Sequence, residues 1–517
     1  MIPFKLITGL LLLLTTLSVD SANILCILPI PSPSHHIWNS VWMEALVERG
    51  HNLTVISADK DKNRENIKYY WMETIYSDLA EAGAVDYVQM SKDGAFQTVF
   101  TFLNFFESCC RSMLRSEGLK AFLKNSEHDH YDLVMYDFGV GPCLLPLLHK
   151  LNNPPLISIT AFGNPPYSVD VIGGHKHYAY TPYFGLNYST DMNFFQRAYN
   201  TFLSILESAY RNYYIIPKVD AMAREHFKYS NLPHVRDLEQ RTQVMLVSTN
   251  PSMDALEPLP PNVIAIGGAH IKNPEPLPAD LEDFIQKGKR GSVLFSLGSN
   301  IRSDKIGADR QKMFIEAFRQ IPQYNFLWKF ESNLELDLPP NVLIKSWMPQ
   351  NSVLAHPKTK AFITHSGGLS TQEASWYGIP LIGMPFFMDQ YKNCYQSVKA
   401  EVAEALDFQS LSTDKIRDTV LKVLETPKYW ENMQRRSKFF RDQPEKPLNR
   451  TIWWVEYVLR HGDVSFMKSP SLALGAIQSN LFDVYLFYIA LIYTIFKVFT
   501  IIVSRKIRKQ SKLIKTD

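Results

Sequence analysis

Apolar and polar positions follow a repeating rhythm over most of the chain. A short apolar run is followed by a longer stretch with helical spacing, and then by another apolar run. Residues 23–30 form the first run, residues 38–49 have helical spacing and stop at Gly50, and residues 52–57 are apolar again. Short apolar runs separated by helical stretches predict β-α-β units, and hence a parallel sheet covered by helices on both faces. Further strands are predicted over 132–136, 156–160, 244–248 and 263–267, with a long, mostly helical segment over 195–227. Seven prolines between residues 251 and 278 mark a linker. The rhythm then starts again, with strands over 292–297, 325–329, 342–345, 360–364 and 380–384. The expected fold is therefore α/β with two doubly wound halves in tandem. Ligands of such sheets bind at the carboxyl ends of the strands, so the cleft between the halves is the expected site.

Both ends of the chain depart from this rhythm. Lys5 followed by the apolar stretch 6–17 and the small residues Ser18, Ser21 and Ala22 reads as a secretory signal over 1–21. A second apolar run covers 484–503, and its one charge is Lys497. About 20 such residues span a hydrocarbon core. The basic tail over 504–517 begins with Arg505, Lys506, Arg508 and Lys509, the flank expected on the cytoplasmic side. The bulk of the chain is then lumenal or extracellular. Asn52, Asn187 and Asn449 each open an N-glycosylation triplet.

The 517 residues suit two or more domains, and a net charge of +3 whose positive excess lies in a short tail gives no nucleic-acid face. The five cysteines (Cys26, Cys109, Cys110, Cys143 and Cys394) show no disulfide framework or zinc spacing, and the adjacent pair 109–110 reads as helix packing. Asp59-Lys60-Asp61 is a DxD triplet, a motif that can hold a metal; here its charged surroundings read as a solvated turn. The histidines at 128, 130, 175 and 177 lack a third ligand and read as surface loop, and Arg435-Arg436 as a solvated helix face.

The densest chemistry lies between Lys345 and Gln390. Trp347 follows a strand and offers a flat face to a base. His365 ends another strand and is followed by Gly367, Gly368 and helix-forming residues, an arrangement that aims backbone N–H groups at a phosphate. Glu373 falls two turns into that helix, within reach of a ribose. Asp389 and Gln390 supply acceptors and donors for sugar hydroxyls.

This pattern resembles the signature of the UDP-glycosyltransferase family, its animal branch in particular, at Trp347, Pro349, Gln350, His365, Gly367, Ser370, Glu373, Asp389 and Gln390. Two features depart from it: Ser366 intervenes between the histidine and the glycines, and Leu369 stands where plant and vertebrate relatives have asparagine. Phe295-Ser296-Leu297-Gly298-Ser299 is similar to the first strand of the family's donor domain, which implies a phosphate contact for Ser299. The resemblance implies a GT-B fold, two facing Rossmann-like domains with the last helices crossing back to the first. The implied organisation is an acceptor domain over 22–250, a linker over 251–290, a UDP-sugar domain over 291–440, return helices and a juxtamembrane segment over 441–483, and a transmembrane helix over 484–503.

Glycosyl transfer needs a base for the acceptor hydroxyl, a role suited to histidine. Ser34-His35-His36 follows the first strand and precedes the first helix. The family's serine-histidine stands about fifteen residues before a Gly-His pair, and Gly50-His51 selects His35, with His36 as runner-up. Asp137, at a strand end, resembles the partner aspartate that orients the base. The resulting expectation is an inverting, metal-independent enzyme of the endoplasmic reticulum membrane, single-pass and lumenal, with no cofactor beyond its co-substrate. It moves a hexose from UDP-glucose or UDP-glucuronic acid to small lipophilic acceptors. The run 369–373 looks insect-type, which favours glucose. The rival readings are a non-catalytic binder of small hydrophobic ligands and a nucleotide-sugar epimerase on the same fold. A homo-oligomer is compatible with either class.

Overall fold

The structure is a computed structural model that describes residues 21–83, 90–126, 129–254, 257–332 and 337–513. The expected signal segment and His128 lie outside the described residues. Residues up to 467 form one compact unit and residues from 468 a second.

The first unit holds two all-parallel sheets. The first runs β3-β2-β1-β4-β5-β6-β7, from β1 (Asn23–Leu28), β2 (Asn52–Ser57), β3 (Ile67–Trp71), β4 (Leu133–Asp137), β5 (Leu156–Thr160), β6 (Thr242–Val247) and β7 (Val263–Ala265). The second runs β10-β9-β8-β11-β12-β13, from β8 (Ser292–Ser296), β9 (Asn325–Lys329), β10 (Val342–Lys345), β11 (Thr359–Thr364), β12 (Leu381–Gly383) and β13 (Ala403–Ala405). Strand alternation feeds a core on each face of each sheet. Leu25 and Ile27 of β1 enter one cluster and Ile24, Cys26 and Leu28 the other. In β8, Val293 and Phe295 face one core and Leu294 the opposite one. This two-sided burial is why the strands read as continuous apolar runs. In each sheet the strand order reverses once, between β1 and β4 and between β8 and β11.

Helices sharpen the picture from sequence. α1 (Pro33–Glu48) starts five residues before the predicted helix, because Pro33 sits at its first position and Ser32 precedes it in extended conformation. His35 and His36 therefore lie in the first turn of the helix and not in the loop before it. α2 (Ala95–Arg115) carries the adjacent cysteines 109 and 110, on a helix as read from the sequence, and extends well before them. The long helical segment is α3 (Phe194–Tyr210), a π-helical turn at Arg211–Ile215, and α4 (Ile216–Phe227). In the second sheet, α5 (Gln350–Ala355), α6 (Gly368–Tyr377) and α7 (Asp389–Lys399) follow β10, β11 and β12.

Two readings of the sequence are corrected. Cys110 and Cys143 form a disulfide that ties α2 to the segment after β4, although they stand 33 residues apart with no local spacing to advertise the pairing. In α8 (Pro427–Arg441), Arg436 is buried, and that burial lowers its pKa to about 10.

α9 (Pro447–His461) returns to the first sheet. Its Ile452, Val455 and Val458 share a core with Trp38, Trp42 and Leu46 of α1. Glu456 accepts from Arg49 Nε at 2.8 Å and Nη2 at 2.9 Å, and lies 3.8 Å from the buried His51 Nε2. The second unit carries α10 (Phe482–Leu513), whose part Phe482–Arg508 is long and apolar enough to cross a membrane, with mean hydropathy 2.3.

Burial alone would raise the pKa of Glu456, but the Arg49 hydrogen bonds and nearby positive charge outweigh it, and the net shift is downward. A depressed carboxyl pKa adds stability above the unfolded value of about 4.3, and that stability is lost as pH falls through the folded one. Glu456→Gln is expected to cost about 2 kcal/mol at neutral pH. Denaturant titration should show this difference shrinking toward acid; an equal loss at all pH values would contradict it.

Candidate active site

The two strand-order reversals face one cleft, and the predicted residues gather there. Two adjoining cavities of about 160 Å3 and 610 Å3 share Ser34, Gly298, Ser299, Leu369 and Ser370 as lining. His35, His365, Gly367, Asp389 and Gln390 line the smaller one. Trp347, Gln350, Glu373 and His36 line the larger.

On the first-sheet side, β1 and β4 are neighbours with Ile27 opposite Tyr136. This register brings the start of α1 and the end of β4 together. His35 Nδ1 lies 3.3 Å from Asp137 Oδ2, and both side chains are buried. Asp137 Oδ1 also accepts from the Gly139 N–H at 3.3 Å. The edge of the imidazole meets Phe162, with ring centroids 4.6 Å apart. With Nδ1 directed at a carboxylate, that nitrogen carries the proton and Nε2 is left as a lone-pair acceptor toward the cavity. His36, the runner-up, is directed to the other cavity and does not meet Asp137.

On the second-sheet side, the imidazole of His365 is held between two glycines. A Cβ on Gly298 would sit 2.5 Å from its Cε1, and one on Gly367 would sit 2.3 Å from its Nε2. No other residue type fits at either position without displacing the ring. Burial, and after it the charge of Lys329, lowers the His365 pKa to about 4, so the ring is neutral at neutral pH. Ser366 takes the left-handed conformation, φ 63°. A glycine would adopt this without strain. Serine is held there by its own N–H donating to Thr364 Oγ1 at 3.3 Å and by its carbonyl accepting from Asn393 Nδ2 at 3.1 Å.

The remaining predicted residues of the second domain line the same cavities, and three of them are hydrogen-bonded together. Gln350 Nε2 donates to Ser370 Oγ at 3.1 Å and to a carboxylate oxygen of Glu373. Burial raises the Glu373 pKa to about 7, against the pull of that hydrogen bond. Trp347 is 61% exposed at the mouth of the larger cavity, with Lys329 Nζ 5.8 Å from its ring centroid. The Ser299 hydroxyl is buried with no protein partner. Asp389 opens α7 and accepts from Asn393 Nδ2 at 2.8 Å; burial raises its pKa. Gln390 is more committed than expected, because its Oε1 accepts from the Phe386 and Phe387 N–H groups at 2.9 and 3.3 Å. Its amide nitrogen is the part left for a ligand.

Gln372 escaped the sequence reading. It lies between Ser370 and Glu373 but projects to the interdomain connection. Its Nε2 donates to Ser248 O at 2.9 Å, and its Oε1 accepts from the Gly268 N–H at 2.8 Å. Asn300 Nδ2 donates across the cleft to Ser32 Oγ at 3.0 Å. The DxD carboxylates are not simply solvated: Asp59 accepts from Tyr76 OH at 2.8 Å and Asp61 from Tyr69 OH at 3.3 Å. Among the described residues, no three His, Cys, Asp or Glu side chains cluster as a metal site.

The chain is similar to known proteins along nearly its whole length. The family described as "UDP-glucoronosyl and UDP-glucosyl transferase" matches residues 26–515. The chain is 32% identical over 476 residues to UDP-glucosyltransferase 2 of Dactylopius coccus, covering 90% of each chain. It is 30% identical over 508 residues to UDP-glucuronosyltransferase 2B15 of Homo sapiens, covering 94% of each. Its fold is similar to that of CalG4, the calicheamicin glycosyltransferase, with a TM-score of 0.57 at 16% identity over 86% of this chain and all of that one. Two facing parallel-sheet domains with a nucleotide-sugar signature on the second, and a sequence match along nearly the whole chain, make this protein a member of the UDP-glucuronosyl and UDP-glucosyl transferase family, a UDP-glycosyltransferase of GT-B fold.

Proposed function

We propose that the protein transfers glucose from UDP-glucose, with inversion, to a hydroxyl of small lipophilic acceptors, at the endoplasmic reticulum membrane with its two sheet domains lumenal. The observation that carries this reading is the His35–Asp137 pair, 3.3 Å apart, on the wall of the cavity that His365 and Asp389 line from the opposite domain. His35 Nε2 takes the acceptor proton as the hydroxyl attacks the anomeric carbon from the face opposite UDP. Asp137 holds the ring and stabilises the imidazolium that forms. The UDP leaving group is stabilised by the backbone N–H groups opening α6, by the partnerless Ser299 hydroxyl and by a neutral His365 acting as hydrogen-bond donor. Trp347 packs on the uracil, and Glu373, with Gln350, accepts from the ribose.

A neutral hexose fits better than a uronic acid. Among the described residues the smaller cavity is lined by no Lys or Arg, whereas Asp389 lies in its wall. A uronate carboxylate would be desolvated there beside a second carboxyl group and without a cation. Phe102, Phe105, Phe162 and Val140 line the acceptor side of that cavity, which suits a flat apolar aglycone. The location is supported by the α10 span with its basic flank, by the Cys110–Cys143 disulfide, and by the exposure of Asn52, Asn187 and Asn449.

His35→Ala is expected to lower kcat by about 10²–10⁴-fold while UDP affinity, measured by calorimetry on detergent-solubilised protein, is unchanged. Undiminished turnover would remove His35 from the base role. Because Glu373 titrates at about 7, its ribose-accepting carboxylate form is lost as pH falls below that value. The KM for UDP-glucose should rise on the acid side, and Glu373→Gln should raise it at every pH and flatten the profile. A variant that keeps the wild-type profile would exclude Glu373.

A further inference from the structure

Two consecutive histidines of α1 each face an aspartate, but they serve different cavities. Neighbouring helical positions are rotated by about 100°. His35 therefore lines the smaller cavity beside Asp137, and His36 lines the larger one beside Asp61. His36 Nε2 lies 3.2 Å from Asp61 Oδ2. The contact is close but not aligned as a hydrogen bond, and both ring nitrogens of His36 are buried without an aligned partner. Asp61 is itself braced, accepting from Tyr69 OH at 3.3 Å, with Ser40 Oγ 3.4 Å away. Ser40 Oγ also donates to the His36 carbonyl at 2.9 Å. A half-buried imidazole whose two nitrogens are shielded from water and lack an aligned partner, held beside a supported carboxylate, is arranged to meet a group supplied by a ligand.

The larger cavity identifies that ligand. His36 shares its walls with Ser299, whose buried hydroxyl also has no partner, and with Ser370, Gln350 and Glu373 of the opposite domain. We propose that His36, positioned by Asp61, is a donor-binding residue contributed by the acceptor-side domain: with a proton on each ring nitrogen and an anion on either side, it turns one N–H to Asp61 and donates the other to a diphosphate oxygen of the nucleoside diphosphate. This rests on the reading of the larger cavity as the nucleotide site. The consequence is that the nucleotide is gripped from both domains, so its binding favours the closed cleft in which His35 meets the sugar. Asp61, part of the DxD triplet, then acts on the diphosphate through a histidine and not through a metal.

The test uses the full-length protein in detergent with UDP as probe, at one fixed pH, by calorimetry. His36→Ala is expected to raise the UDP Kd about tenfold, and Asp61→Asn by a smaller factor in the same direction. The KM for the UDP-sugar should rise, with a fall in kcat much smaller than that of His35→Ala. His36→Asn, checked by thermal melting against wild type, covers the case in which the alanine variant misfolds. A UDP Kd within about twofold of wild type for a folded His36 variant, or a loss confined to kcat, would overturn the inference. Failure of Trp347→Ala and Glu373→Ala to weaken UDP would instead overturn the nucleotide-site reading itself.

Discussion

Parallel pairing of β1 with β4 and of β8 with β11 is the constraint on which the site rests. Each pairing joins strands that are distant in sequence and reverses the strand order, opening a crevice at the carboxyl ends. In the first sheet, Ile27 opposite Tyr136 sets the tip of β1 beside the tip of β4, and a histidine in the first turn of the helix that follows β1 meets the aspartate ending β4. In the second, Ile363 opposite Phe295 brings the loops carrying Ser299 and His365 together. A shift of either register would move these side chains apart while leaving every local element intact. The apolar strands that looked unremarkable in sequence are therefore what makes the polar residues work together.

Burial, more than paired charge, sets the electrostatics of the cleft. Glu373 and Asp389 are both raised, and His365 is lowered, mainly because each is removed from water. The result is a second-domain wall on which buried, weakly ionised groups and backbone dipoles stand beside the positive charge of Lys329. Such a surface favours a ligand that brings its own negative charge, as a diphosphate does, and it disfavours a second carboxylate near Asp389.

Much of this was legible in the sequence because the relevant signals are local. The strand–glycine–helix order at 359–377 and the apolar runs of the central strands depend on near neighbours, and the structure has them where the pattern places them. What escaped the sequence depends on distant partners. β3 is an edge strand whose exposed Lys68 and Trp71 blur its alternation. The Cys110–Cys143 bond joins elements with no spacing rule between them. Gln372 reads as one more polar residue of a helix until Ser248 and Gly268 are seen against it. Pro33 is a helix-start signal five residues ahead of the helical spacing that begins at Trp38, and it places His35 and His36 in the helix that orients them.

The central claim is that one imidazole on the first domain activates an acceptor hydroxyl against the anomeric carbon of a sugar nucleotide held by the second. The stereochemistry of the product tests this most directly. Purified protein given UDP-α-glucose and a simple phenol should yield the β-glucoside, identified by the anomeric proton coupling in the NMR spectrum of the product. An α-glucoside, or no glucoside under conditions in which UDP-glucose binds, would contradict the account.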